Sequence, residues 1–233
     1  MIKYLLVDFD DTLNDSGAIF ASKLDGLFHT DGRRIYRIFM NEIHDSIVHK
    51  KNPEKHDDWD FQVKLLLKII GEPYNNNKVK EFKQLFHEAA HEVLINPNLF
   101  PDAPRFLNCL SKAGFILCLS SGRHSMEKAE LVKKITGINH FKHVLGPEVI
   151  GCDKIATEYY EKVLQILKIE PGETLSIGDR LILDIEPAKA VRIKTMWINR
   201  WGAKKPVNPQ STPDYEVKNL IEALDVINRT VSD

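Results

Sequence analysis

The chain has 233 residues, and its 32 Lys and Arg residues nearly balance its 33 Asp and Glu residues, for a formal net charge of −1. This balance excludes a broad basic surface, so we predict no nucleic-acid partner. With 43% hydrophobic and 28% charged residues, the composition is that of a globular protein and excludes the disordered and fibrous classes. The three cysteines show no C-x-x-C spacing, which favours free thiols and a cytoplasmic location over a disulfide framework.

The N-terminal apolar run covers only residues 4–7 before carboxylates end it, which is too short for the core of a signal peptide. Later apolar stretches are also shorter than the roughly 18 residues that a membrane-spanning helix needs. We therefore predict a soluble protein that has no membrane partner. The pattern gives no indication of the oligomeric state.

Five short apolar runs, most of them ending in polar residues, are predicted to be β-strands. They cover residues 3–7, 115–119, 143–145, 174–177 and 194–198. Continuous apolar runs separated by helical segments are typical of parallel strands, because helices cover both faces of such a sheet. The pattern predicts an α/β fold with an open parallel sheet.

About a hundred residues separate the first two runs, where a simple βαβ unit would use about thirty. Apolar residues at helical spacing recur throughout this segment: Ile35, Phe39, Ile43 and Ile47, then the stretch 61–70, then Val79, Phe82, Phe86, Ala89 and Val93. Such spacing places apolar side chains on one face of a helix. We predict that residues 15–99 form an all-helical insert in a core made of residues 1–14 and 100–233.

Three aspartates, Asp8, Asp10 and Asp11, directly follow the first predicted strand. Open α/β sheets bind their ligands at the carboxyl ends of the strands. Because these carboxylates repel one another, such a cluster indicates a bound cation. The alternative is an ordinary acidic turn.

Three later segments of the sequence favour a cation site over an ordinary acidic turn. The second run ends in Ser120-Ser121-Gly122, whose hydroxyl and N–H donors suit phosphate oxygens. Lys154 is predicted to open a helix, and the fourth run ends in Gly178-Asp179, with Asp184 five residues after Asp179.

In chain order, Asp8-x-Asp10-x-Thr12, Ser120, Lys154 and Gly178-Asp179-x-x-x-x-Asp184 resemble the four motifs of the haloacid-dehalogenase-like (HAD) superfamily. The helical insert lies between the first and second motifs, as the C1 cap of subfamily I does. The resemblance implies a Rossmann-like parallel core with an inserted cap domain, in the phosphatase branch that includes phosphoglycolate phosphatase-like enzymes.

The resemblance also implies roles for individual residues. Asp8 would be the nucleophile that forms an aspartyl-phosphate, and Asp10 would protonate the leaving oxygen and then activate water. Mg²⁺ would be the cofactor, with the ligand set Asp8, Asp10 through its backbone carbonyl, Asp179 and Asp184. The residues that would bind the substrate phosphate are Thr12, Ser120, Ser121 with its N–H, Gly122 and the catalytic Lys154.

The residue two positions after the nucleophile distinguishes reactions within the superfamily. In the superfamily that this chain resembles, dehalogenases carry an aromatic residue there and phosphonatases an alanine, so Asp10 favours cleavage of phosphate esters. We expect a Mg²⁺-dependent phosphatase of small phosphorylated metabolites. A sugar phosphomutase similar to β-phosphoglucomutase would keep the same aspartate. Ser121 and Ile155 depart from the Asn and Pro that are common after the second- and third-motif residues, which leaves the phosphate donors open.

A second motif, His87-Glu88-x-x-His91, matches the zinc-peptidase pattern H-E-x-x-H. Its histidines lie about 100–140° from the apolar stripe of the predicted helix, on a flank that is partly solvated. We retain a zinc peptidase only as a remote alternative, together with a catalytically silent binding module on the same fold.

Two groups of basic residues remain. The arginines Arg33, Arg34 and Arg37 fit a solvated helix face, or recognition of an anionic substrate if that face points at the active site. The pairs Lys50-Lys51 and Lys204-Lys205 are too short for a nucleic-acid patch.

Overall fold

The structure, a computed structural model, describes residues 1–203 and 208–232, so the basic pair Lys204-Lys205 lies outside the described residues. The chain divides into two compact units. The first comprises the described parts of Met1–Asn14 and Leu99–Asp233, and the second is Asp15–Asn98. Within the described ranges, no helix is both long and apolar enough to cross a membrane.

The described part of the first unit contains one sheet of six parallel strands in the order β3-β2-β1-β4-β5-β6. The strands are β1 (Tyr4–Val7), β2 (Ile116–Ser120), β3 (His143–Leu145), β4 (Thr174–Gly178), β5 (Lys194–Ile198) and β6 (Tyr215–Val217). In the central strand, Val7 pairs with Leu119 and with Ile177, so the loops after β1, β2 and β4 leave the sheet at the same edge. The parallel sheet confirms the predicted α/β fold class.

Burial explains why the strands could be predicted. All five residues of β4 are buried, as are Leu5, Leu6 and Val7 of β1, because helices cover both faces of the sheet. The sequence prediction missed β6, which has only three residues and carries the charged Glu216 at its centre.

In the part of the chain that the structure describes, the second unit is helical throughout. Its α-helices are α1 (Ser16–Leu24), α2 (Gly32–Arg37), α3 (Trp59–Ile70) and α4 (Asn76–Ile95). A π-helix covers Ile38–His49, and short 3₁₀ turns cover Leu27–His29 and Pro53–Lys55. Together they bury a separate apolar core that includes Ile35, Phe39 and Phe82.

The π-helix corrects one detail of the prediction. Ile47 was expected on the buried face of a regular helix, but Val48 is buried instead. A π-helix is wider than an α-helix and has i→i+5 hydrogen bonds, so its buried positions Ile43 and Val48 are five residues apart.

The helices that cover the sheet are α5 (Ala103–Lys112), α6 (Ser125–Thr136), α7 (Pro147–Ile150), α8 (Thr157–Leu167), α9 (Glu186–Ala190) and α10 (Leu220–Ser232). A π-helical turn at Leu181–Ile185 precedes α9, and a 3₁₀ turn at Pro171–Glu173 precedes β4. The prediction that Lys154 opens a helix is wrong, because α8 begins three residues later at Thr157 and Lys154 lies in the turn before it.

Candidate active site

Two loops at one edge of the sheet bring three of the predicted acidic residues together. Asp8 follows β1, and its N–H donates to the carbonyl of Ile177 in β4 at 2.9 Å. Asp179 directly follows β4, and Asp184 lies in the π-helical turn after it. Each of these three aspartates offers a carboxylate oxygen within 4.8 Å of the other two. We call this group the acidic cluster.

Lys154 is buried among the acidic side chains, with only 4% of its surface exposed. Its Nζ lies 2.8 Å from Asp8 Oδ1 and 2.5 Å from Asp184 Oδ1, and it donates to the carbonyl of Ser120 at 2.5 Å. Burial alone would lower the pKa of Lys154, but the charges of Asp184 and Asp8 raise it well above its ordinary value. The ammonium group is therefore charged and holds the nucleophile candidate in place.

The position of Asp184 depends on close packing against the end of β4. A Cβ at residue 178 would overlap the Asp184 carboxyl group, so only glycine fits there. The N–H of Arg180 donates to Asp184 Oδ2 at 2.9 Å, and the Ser176 hydroxyl donates to the backbone carbonyl of Asp184 at 2.8 Å. The Gly178-Asp179 motif thus leaves room for the second acidic residue of the loop.

The acidic cluster has the properties of a cation site. Burial raises the pKa of Asp8 to about 7, against the opposing effect of Lys154. Burial, with further contributions from Asp11 and Asp184, raises the pKa of Asp179 well above its ordinary value. Asp179 Oδ1 is buried and has no hydrogen-bond partner. A cation bound by these oxygens would satisfy this atom and offset the repulsion, and oxygen ligands suit hard cations such as Mg²⁺ or Ca²⁺.

Asp10 has a partner that the sequence prediction missed. Lys128 Nζ lies 2.6 Å from Asp10 Oδ2 and donates to the Ser121 hydroxyl at 3.2 Å. The Lys128 side chain is only 8% exposed, whereas that of Asp10 is 41% exposed. Lys128 lies on α6 between the buried residues Ser125 and Val132, so a lysine on the apolar stripe of this helix was the available signal.

The two serines that were predicted to bind phosphate already have hydrogen-bond partners in the structure. The N–H of Ser121, which the resemblance assigns to a phosphate oxygen, donates to the Leu145 carbonyl at 3.1 Å in this structure. The Ser120 hydroxyl lies 3.1 Å from the hydroxyl of Tyr159, which itself donates to the same carbonyl. Both serines are therefore at the expected edge, but these donors are already engaged.

The remaining two residues of the predicted phosphate set also differ in placement. Gly122 is partly exposed in the loop after β2, with open space around it. Thr12 is fully buried, and its carbonyl accepts from Arg200 at 3.1 Å. The structure therefore does not present the Thr12 hydroxyl to solvent, because its Oγ1 is enclosed and has no hydrogen-bond partner.

The zinc-peptidase alternative finds no support in the second unit. His87, Glu88 and His91 are exposed on α4, where the His87 ring packs edge-on against Trp59 at 5.2 Å between ring centroids. Among the residues that the structure describes, the clusters able to hold a metal include none of these three side chains.

The three arginines line a surface pocket of about 440 Å³ on the helical unit, together with Asp31 and Glu42. The pocket contains charges of both signs. Recognition of an anionic substrate by Arg33, Arg34 and Arg37 stays a prediction.

Known proteins that are similar to this chain include phosphatases, which fits the arrangement of the acidic cluster. Residues 2–192 match the profile of a family described as haloacid dehalogenase-like hydrolase. The chain is 28% identical to a glyceraldehyde 3-phosphate phosphatase of Methanopyrus kandleri over 100% of both chains. It is 26% identical to a phosphoglycolate phosphatase of Aquifex aeolicus, over 96% of this chain and 97% of that one. The magnesium-bound structure of the putative HAD-hydrolase YfnB from Bacillus subtilis superposes with a TM-score of 0.70 at 24% identity, covering 97% of this chain and 99% of that one. The chain belongs to the haloacid dehalogenase-like hydrolase family.

Proposed function

We propose that this protein is a metal-dependent phosphatase that hydrolyses small phosphate monoesters through a phosphorylated Asp8. The observation that carries the proposal is the pairing of Asp8 with the buried Lys154, beside a more exposed aspartate two residues along the chain. A carboxylate that is held in one position can act as a nucleophile, and an exposed carboxyl group beside it can exchange protons with substrate and water. The similarity to enzymes named as phosphatases supports the same activity.

The reaction proceeds in two displacements at phosphorus. Asp8 forms a bond from a carboxylate oxygen to phosphorus while the bond to the ester oxygen breaks, and Asp10 gives its proton to that oxygen. Water then attacks the phosphorylated Asp8, and Asp10 takes up the proton that the water loses. Lys154 orients Asp8 and offsets negative charge in both steps. Lys128 holds the Asp10 carboxyl group at the site between turnovers.

We further propose Mg²⁺ as the cation of the acidic cluster, with Asp8, the Asp10 carbonyl, Asp179 and Asp184 as the residues that hold it. When bound, it supplies positive charge that makes the approach of an anionic nucleophile to an anionic phosphate favourable. The all-oxygen donor set and the unpartnered Asp179 Oδ1 support a hard cation over a softer transition metal.

The substrate class is proposed from the relatives, and the helical unit is proposed to select it as a cap domain. The first candidates are glyceraldehyde 3-phosphate and phosphoglycolate, because two relatives are named as phosphatases of these compounds. Pyrimidine nucleotides are a third candidate, because a 24% identical protein of Streptococcus pneumoniae is named as a pyrimidine 5'-nucleotidase. Asn14 and Leu99 form an antiparallel bridge, and the Asp15 N–H donates to the Asn98 carbonyl at 2.8 Å. The two connecting segments therefore run side by side, as a hinge to an inserted domain requires.

The test is release of inorganic phosphate from a panel of these esters, with Mg²⁺ and with a chelator. We expect turnover with Mg²⁺ only, its loss in Asp8→Asn, and normal turnover in Asp153→Asn, which changes an exposed aspartate next to Lys154. Activity that persists in Asp8→Asn would contradict the proposal. Formation of an isomeric sugar phosphate, followed by phosphorus NMR, would identify a phosphomutase instead.

A further inference from the structure

Three histidines of the helical unit form a second cluster of potential metal ligands, which we call the imidazole cluster: His44, His49 and His56. Each offers one ring nitrogen, and these nitrogens lie within 4.8 Å of one another. The ring centroids are 4.3 to 5.2 Å apart. The cluster shares no residue with the acidic cluster or with the His87-Glu88-x-x-His91 motif.

The π-helix is the reason that two of these histidines meet. At about 100° per residue, an α-helix would direct the side chains of residues 44 and 49 about 140° apart. The wider π turn brings residues five apart to the same side, so the His44 and His49 rings are in contact at 4.3 Å between centroids. Local π-helical geometry of this kind is frequent at functional sites.

The third histidine follows the 3₁₀ turn Pro53–Lys55 and is held by a buried glutamine. Gln62 is only 2% exposed, and its side-chain amide donates to the carbonyls of Lys55 at 3.0 Å and His56 at 2.6 Å. The Asn52 amide ties the same turn to the π-helix by donating to the Ile47 carbonyl at 3.0 Å. The backbone that carries His56 is therefore fixed relative to the π-helix before any ligand binds.

Two carboxylates lie beside the rings. Asp57 Oδ1 is 3.1 Å from His56 Nδ1, and Asp45 Oδ1 is 3.6 Å from His44 Nδ1. Metal-binding histidines usually direct their second ring nitrogen to a carboxylate, which fixes the ring and increases its affinity for the metal. Asp57 is in position to do this for His56, and Asp45 adds negative charge near His44.

We propose that the imidazole cluster binds one zinc ion, independently of the cation held by the acidic cluster. Imidazole nitrogens favour Zn²⁺ over Mg²⁺, whereas carboxylate oxygens favour Mg²⁺. A tetrahedral zinc site with Zn–N bonds of about 2.0–2.1 Å places its nitrogens about 3.3 Å apart, so the rings need to close by only about 1.5 Å. The His44 and His56 side chains are 18% and 41% exposed, which allows that rotation and leaves a fourth position for water.

The bound ion would join the π-helix to the turn that follows it. Because it would bind the folded helical unit and not the unfolded chain, zinc should raise the midpoint of thermal unfolding. This effect does not depend on phosphatase activity.

The experiment uses the full chain, stripped of metal and then saturated with Mg²⁺ so that the acidic cluster is occupied. Titration with Zn²⁺ is followed by calorimetry, and Co²⁺ replaces Zn²⁺ for visible spectra, which report the geometry of the nitrogen ligands. We expect one equivalent of zinc in the unchanged protein and a rise in its unfolding midpoint. His49→Gln should weaken zinc binding by more than about 100-fold, and Asp57→Ala by about 10- to 100-fold as for a lost outer-shell partner.

Two matched variants locate the site. His91→Gln removes an exposed histidine outside the cluster, and Asp179→Asn damages the acidic cluster; both should keep the zinc equivalent and the cobalt spectrum. The proposal is overturned if no zinc equivalent binds above the Mg²⁺ background, or if that equivalent survives in His49→Gln or disappears in Asp179→Asn. Unfolding curves without zinc show whether His49→Gln is folded; if it is not, His56→Gln on the neighbouring turn gives the same comparison.

Discussion

Replacing Lys154 by methionine is expected to destabilise the sheet unit strongly, in addition to abolishing activity. The side chain is 4% exposed and its ammonium group is paired with both Asp8 and Asp184. Removing one partner from a buried ion pair leaves an uncompensated charge, at a cost of about 3–5 kcal/mol. For a protein of this length, that corresponds to a fall in the unfolding midpoint of roughly 6–20 °C at about 2–4 °C per kcal/mol.

The assay is thermal and denaturant unfolding in chelator, so that no cation replaces the lost ammonium group. The matched control is Lys162→Met on α8, whose pair with Glu158 at 2.8 Å is partly exposed, with side chains 34% and 60% accessible. An exposed pair of this kind contributes about 0–1 kcal/mol. The contrast between two lysines of the same segment isolates the effect of burial.

A double variant tests the cause. In Lys154→Met with Asp184→Asn, the asparagine can still accept from the Arg180 N–H but carries no charge. We expect it to regain about 1 kcal/mol or more relative to Lys154→Met alone, since contacting residues couple by about 0.5–3 kcal/mol. Two results would refute the charge-balance argument. One is a loss of unfolding free energy below about 1 kcal/mol in Lys154→Met, and the other is a loss in the double variant that equals the sum of the losses in the two single variants.

Three further predictions concern other residues. Lys128→Met should lower kcat by roughly 10- to 100-fold, less than the 10²–10⁴ of losing an acid–base group, and shift the pH–rate profile, with Lys128→Arg restoring most of both. An unchanged profile would mean that Lys128 is only structural. Gly178→Ala should cost about 1–3 kcal/mol, because its methyl group would overlap the Asp184 carboxyl group, whereas Gly172→Ala, with open space around it, should change stability by less than about 0.5 kcal/mol. Burial lowers the pKa of His140 below 6.5, so the unfolded chain binds a proton that the folded chain does not. Its contribution to stability is present above pH 6.5 and is lost as pH falls, so His140→Asn should lose less unfolding free energy between pH 7.5 and 5.5 than the unchanged protein; an equal loss would contradict this assignment.

The sheet and the acidic edge could be predicted because both depend on local pattern. A buried parallel strand is a continuous apolar run, and the residues that follow it emerge at a common edge whatever helices lie between. Asp8, Ser120 and Asp179 could therefore be placed together from strand ends alone. Lys154 was harder, because neither its burial nor the turn that carries it has a local signature.

The two groups of histidines show where sequence pattern becomes unreliable. His87 and His91 have the spacing that an α-helix brings to one face, yet they lie on an exposed surface of α4 outside the metal-competent clusters of the described residues. His44 and His49 have a spacing that an α-helix would separate, and they meet only because that segment is π-helical. A residue spacing predicts which side chains meet only if the segment has the helix type for which that spacing was defined. Periodicity analysis assumes the α-helical repeat of about 100° per residue, so it could not find this pair.

The near-zero net charge predicted from composition is an average over very different local environments. At the sheet edge, burial raises the pKa values of Asp8 and Asp179, because ionised carboxylates lose contact with water there. Lys154 supplies one positive charge, which is already shared by Asp8 and Asp184, and Asp179 Oδ1 has no hydrogen-bond partner. A divalent cation bound by these oxygens would compensate the remaining negative charge. A phosphate dianion can then approach a site that would otherwise repel it, so an anionic substrate is compatible with an acidic cluster in a chain of balanced charge.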